Sequence, residues 1–141
     1  MLRLDHKLET FMAMTRSLST LATCKRLKVG CMIVSHDFSD IPANGYNGWP
    51  HEFNHANCSG DPCGCVHAEL NACIKLGRTG RTDNLCFVTR APCVRCAQAI
   101  IQTKQIAKVF IDQFSPTVMD KGPTLLYQAG IYLEWWKDHE H

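Results

Sequence analysis

The chain has 141 residues, 45% hydrophobic and 20% charged, with a formal net charge of +2. This length and composition suit one globular domain, residues 1–141, with a core of its own. The small charge gives no argument for a nucleic-acid or membrane partner, and no run approaches the ~18 apolar residues of a membrane span.

The opening MLRLDHKLETFM lacks the form of a signal peptide, so the expected location is cytoplasmic. Leu4, Leu8, Phe11, Met12, Leu18 and Leu21 then recur at helical spacing, predicting a helix over 4–22. VGCMIVS (29–35) reads as a buried strand opened by Gly30. DIPANGY reads as a shorter partner strand, with Pro42 favouring a sheet edge. A polar loop of about 47–65 follows, rich in Asn, His, Gly, Pro and Cys; loops of this length in compact domains are usually functional or tied down.

HAELNACIKLG predicts a helix ended by Gly77, LCFVT a strand, and CVRCAQAIIQT a helix entered after Pro92. AKVFI is a strand, PTLLYQAG a helix closed by Gly130, and IYLEWW a last strand or a tail. The order α-β-β-α-β-α-β-α-β, with a hairpin first and alternation after it, predicts a three-layer α/β/α domain around a mixed five-stranded sheet. There are no internal repeats, low-complexity tracts or domain linkers.

Nine cysteines are many for this length, and the count is odd. Without a secretion signal the thiols should stay reduced, which favours metal binding over a disulfide framework. Cys31, Cys73 and Cys86 lie in apolar stretches and read as buried small hydrophobes. Of the remaining six, Cys58, Cys63 and Cys65 lie in the loop, Cys93 and Cys96 at the helix after Pro92, and Cys24 stands alone.

VHAELNA (66–72) places His67 and Glu69 two residues apart at a helix start, and APCVRC places Cys93 and Cys96 at the next. Successive β-α units bring such helix starts to the same end of a sheet. A C-x-x-C turn at a helix N-terminus favours two thiolates on one metal. One histidine nitrogen and two sulfurs leave a tetrahedral zinc with an open fourth position, the catalytic rather than the closed arrangement. Zinc so held lowers the pKa of its water toward ~7, and Glu69 is placed to carry protons to the ring and the leaving amine. Either motif alone occurs by chance or serves redox and structural sites; in this order, with a β-α unit between, they match the H-x-E…P-C-x-x-C signature of zinc nucleobase deaminases.

Over most of its length the chain resembles the cytidine-deaminase-like superfamily and, within it, the deoxycytidylate (dCMP) deaminases. The likeness rests on CKRLKVG, ANGYNGWP, GCVHAELNA and APCVRCAQAII; Gly45–Gly48 with Pro50, and Asn71, point to the dCMP branch. The resemblance implies zinc-dependent hydrolysis of dCMP to dUMP and ammonia, supplying thymidylate synthesis. It also implies that the Asn47 carboxamide binds the deoxyribose hydroxyl, the Ala68 N–H the pyrimidine carbonyl, and the Ala91 carbonyl the leaving amine. Ala91 stands in place of a Ser or Phe, a change that a backbone role tolerates.

Arg26 and Lys28 are the candidates for the substrate phosphate, with Lys25 less favoured; Arg95, inside the C-x-x-C loop, faces either substrate or solvent. Relatives in the branch are usually homohexamers, activated by dCTP and inhibited by dTTP. The expectation is therefore a hexamer with Gly45, Tyr46 and Gly48 near a regulatory nucleotide, and with Trp135 and Trp136 available for subunit contacts. A second, structural zinc is expected on Cys24, Cys58, Cys63 and Cys65, with His55 in reserve; Cys24 matches a structural-zinc position in some relatives, and four cysteines make a closed site. Other readings stay open: a dCTP-active or bifunctional enzyme, a deaminase of cytidine, tRNA adenosine or a riboflavin precursor, or a zinc-binding interaction module without catalysis. A tRNA enzyme would carry a more basic face.

Overall fold

The structure is a computed structural model that describes residues 3–50, 64–113 and 121–136. The first helix, α1 (Arg3–Ser19), turns Leu8, Met12 and Thr15 inward at i, i+4 and i+7. Leu4 and Leu21, at the ends of the same apolar pattern, are 56% and 57% exposed. Strands β1 (Gly30–Val34) and β2 (Ala43–Tyr46) pair antiparallel. Then come α2 (Ala68–Leu76), β3 (Asn84–Arg90), α3 (Val94–Thr103), β4 (Ile106–Gln113), α4 (Lys121–Gln128) and β5 (Tyr132–Trp135). Gly77 and Gly130 follow α2 and α4 with φ of 60° and 86°, a region that excludes most side chains, so each helix ends there.

The five strands lie in the order β2-β1-β3-β4-β5, with β1 antiparallel to both neighbours and β3, β4 and β5 parallel. The short β2 forms an edge, and Pro42 immediately precedes it.

Alternation along the strands divides the core in two. Cys31 and Ile33, Cys86 and Val88, and Val109 and Ile111 face α2, α3 and α4, meeting Ala68, Ala72, Ala97, Ile100 and Leu126. Met32 and Val34, Leu85 and Phe87, and Phe110 face α1, meeting Leu8 and Met12. A bidentate ion pair ties the end of α1 to β4: Arg16 Nε and Nη2 donate to Asp112 Oδ2 and Oδ1 at 2.9 and 2.7 Å.

Two sequence expectations change. Cys73 is half-buried at the margin of the core, because its helix position faces partly outward; Cys31 and Cys86 are fully buried with sulfurs 3.5 Å apart. Within IYLEWW, Tyr132–Trp135 form the last strand, one of the two expected outcomes, but the tryptophans serve the chain's own cores. Trp136 is 2% exposed and meets Phe110 edge-on at 6.2 Å, while Trp135 packs against the helical side. Phe110 in turn stacks on Phe87 at 4.7 Å, so Trp136 completes an aromatic row instead of offering free surface for another subunit.

Candidate metal centre and active site

His67 and Cys93 occupy equivalent places: each is the N-cap of its helix, in extended conformation, and neither side chain caps the helix. A cap residue that does not bond its own helix can turn its side chain elsewhere. Here both turn to one point. His67 Nδ1 lies 3.3 Å from Cys96 Sγ and 3.6 Å from Cys93 Sγ, and the three ligand atoms lie within 4.8 Å of one another.

The donors fit zinc. Ligands at about 2.0–2.1 Å (nitrogen) and about 2.3 Å (sulfur) around a tetrahedral centre stand roughly 3.5 Å apart. The observed separations of 3.3 and 3.6 Å bracket that value. Nδ1 makes both contacts, so it is the nitrogen placed to ligate a metal, which would leave the ring proton on Nε2.

Without metal, charge is divided unevenly within this group. Hydrogen bonds from Cys96 and then His67 pull the Cys93 thiol down to about 3. The same pairing with Cys93, reinforced by burial, drives Cys96 up, and the contact with Cys93 raises His67. One thiolate is thus already in place, and metal binding displaces the protons of the other ligands.

Glu69 is 5% exposed on the inward side of α2, and burial raises its pKa. A carboxyl held toward its neutral form near a metal site is suited to exchange protons close to neutral pH.

The chain around β2 packs against α2 and the residues that lead into it. Gly45 lies beneath the first turn of α2, where a β-carbon would come within 2.5 Å of the Ala68 carbonyl oxygen and 2.8 Å of the Ala72 amide. Asn71 Nδ2 donates to the Tyr46 carbonyl at 2.9 Å across the same contact. Gly48 and Val66 exchange backbone hydrogen bonds, and the Trp49 ring lies against Gly64, so the two ends of the 47–65 segment meet just before His67. Asn47 is 6% exposed and bonds the backbone of residues 27 and 29.

The other expected site residues fall as follows. Ala68 opens α2, and Ala91 is buried after β3, with its N–H donated to the Gln113 carbonyl. Arg26 and Lys28 are exposed on the segment before β1; Lys28 Nζ donates to the Ala22 carbonyl at 2.7 Å. Arg95 is exposed on the first turn of α3. Cys24 is buried and Cys65 half-buried, while Cys58, Cys63 and His55 lie outside the described residues.

Sequence reasoning missed Gly122. A β-carbon there would collide with the Pro92 carbonyl, so α4 is pressed against the turn that presents Cys93. A glycine two residues into a helix carries no local signal of that contact.

A mixed sheet with a His-Cys-Cys group able to hold a metal at two neighbouring helix starts, beside a buried glutamate, defines the class. The chain matches the family described as the cytidine and deoxycytidylate deaminase zinc-binding region over residues 5–113, and it belongs to that family. The family is a zinc-binding one, and His67, Cys93 and Cys96 form a group that could hold that metal.

The chain is 31% identical over 135 residues to deoxycytidylate deaminase of Saccharomyces cerevisiae, covering 86% of this chain and 42% of that protein. It is 28% identical over 138 residues to deoxycytidylate deaminase of Schizosaccharomyces pombe, covering 87% of this chain and again 42% of the relative. It thus spans about two fifths of the length of these relatives. Among solved structures it resembles the dCMP deaminase of the cyanophage S-TIM5 in complex with dCMP and dUMP, with a TM-score of 0.78 and 28% identity, over 96% of this chain and 98% of that one.

Proposed function

We propose that this protein hydrolyses dCMP to dUMP and ammonia. The observation that carries the reading is the placement of Glu69, buried on the helix whose N-cap, His67, meets Cys93 and Cys96 in an open three-ligand zinc site. Likeness to the cyanophage dCMP deaminase over nearly the whole of both chains supports the choice of base and nucleotide.

When bound, zinc supplies Lewis acidity toward the attacking water. Glu69 takes the proton of that water and delivers protons to the ring nitrogen and then to the departing amine. The Ala68 N–H, at the positive end of α2, holds the pyrimidine carbonyl, and the Ala91 carbonyl receives the amine. Asn47 meets the deoxyribose hydroxyl with the donor and acceptor capacity left after its own backbone bonds. Arg26 and Lys28 receive the phosphate, and Lys28 Nζ also donates to the Ala22 carbonyl.

The assembly read here is a homohexamer controlled by dCTP and dTTP, with Gly45, Tyr46 and Gly48 bordering the regulatory nucleotide. Gly45 is required for packing in any case, so its presence does not depend on that site. A second zinc on Cys24, Cys58, Cys63 and Cys65 is supported by sequence adjacency: Cys24 follows Thr23, which packs against Gly48, and Cys65 precedes Val66, which pairs with Gly48. The cytoplasm is the proposed location; no helix among the described residues is long and apolar enough to cross a membrane.

Ammonia release measured with dCMP, dCTP, cytidine and deoxycytidine tests the reading. The expected result is turnover of dCMP above the rest; equal or greater turnover of dCTP identifies the bifunctional enzyme, and no release from any of the four leaves a zinc-binding module.

A further inference from the structure

We infer that Asn47 is a positioning residue for substrate phosphate, because it holds the cation-bearing segment 23–29 against the active site. The inference rests on the reading of the site as that of a nucleotide deaminase.

Residue 47 bonds that segment four times. Its side-chain Oδ1 accepts from the Val29 N–H at 2.7 Å, and its Nδ2 donates to the Leu27 carbonyl at 2.7 Å. Its backbone N–H donates to the Val29 carbonyl at 3.3 Å, and its carbonyl accepts from the Thr23 N–H at 3.1 Å. The carboxamide thus takes the place that a peptide group of a neighbouring strand would occupy.

Among side chains of this length, a carboxamide alone offers a donor and an acceptor side by side. Aspartate would set a carboxylate oxygen against the Leu27 carbonyl, and alanine would leave a buried donor and acceptor without partners. The segment so held is Cys24 to Lys28, a turn whose residues 25–28 are all exposed. No strand or helix contains it. Lys28 Nζ closes it internally on the Ala22 carbonyl.

Asn47 also directly precedes Gly48, which pairs with Val66 one residue before the ligand His67. Asn47 therefore links the segment carrying the cations at 26 and 28 to the chain that leads to His67. A hydroxyl contact to the sugar uses only what remains of the carboxamide: one N–H and one lone pair.

The test is the ratio of kcat/KM for dCMP to that for deoxycytidine, which isolates the phosphate. Both substrates carry the sugar hydroxyl, so loss of a sugar contact lowers both and leaves the ratio unchanged. Asn47→Asp should lower the ratio by at least about tenfold. With Arg26 and Lys28 both changed to alanine, the same substitution should move it less than about twofold, because the effect passes through that segment.

A ratio unchanged by Asn47→Asp, or fully additive effects, overturns the inference. A wild-type chain that deaminates both substrates equally overturns it and leaves deamination standing, whereas absence of ammonia release from either shows that the functional reading itself has failed. If the variant does not fold, hydrogen exchange of the wild-type chain decides. Saturating dUMP should protect the Val29 amide more than saturating deoxyuridine does, and equal protection rejects the coupling.

Discussion

Gly45 stands so close beneath Ala68 that a β-carbon on it would lie 2.5 Å from the Ala68 carbonyl oxygen. The neighbouring atoms are backbone of α2, which cannot give way as a flexible side chain would. Gly45→Ala should therefore push the start of α2 away from β2, carrying His67, Ala68 and Glu69 with it. The expected outcome is a fall of about tenfold or more in kcat/KM for dCMP, with a lowered melting temperature, read by ammonia release and thermal unfolding. Wild-type activity and stability in Gly45→Ala would show that the strand and helix leave room for a side chain at this position.

Glu69→Gln keeps the size of the side chain and removes its ability to exchange protons. Zinc content should remain that of the wild type while turnover falls by at least ~100-fold. Elemental analysis and an ammonia assay on the same preparation read the two quantities together. A zinc-loaded variant with full turnover would remove Glu69 from the chemistry.

The thiols should separate by pH once zinc is stripped. Cys93, drawn down to about 3 by Cys96 and His67, is a thiolate at pH 6. Cys73, pushed up to about 12 by burial, remains a thiol at pH 6 and at pH 8. Alkylation proceeds through the thiolate, so iodoacetamide at pH 6 should mark Cys93 well ahead of Cys73 in chelator-treated protein. Restoring zinc should protect Cys93. Peptide mapping by mass spectrometry reads both results, and labelling of Cys93 that ignores zinc would count against its role as a ligand.

Much of this protein was legible from the chain alone, for a common physical reason. The element order follows from periodicity, because strands alternate their faces every residue while helices repeat every 3.6, and each pattern is complete within a few residues. The grouping of His67, Cys93 and Cys96 was legible on the same terms. H-x-E at one helix start and P-C-x-x-C at the next are local patterns, and the β-α connection between them brings them to one end of the sheet.

What the chain alone left open depends on which surfaces meet. Asn47 reads in sequence as a polar residue of a loop, yet its carboxamide is buried and bonded to Leu27 and Val29, eighteen and more residues away. Gly45 reads in sequence as a strand residue near a nucleotide and Gly122 carries no signal; their necessity comes from the backbone of α2 and of Pro92 lying against them. Trp136 looked available to another subunit, and only the closing of β5 on β4 set it against Phe110. Periodicity says which face of an element is apolar. It says nothing of how near the facing element comes or which polar atoms it presents, and tertiary packing alone decided both.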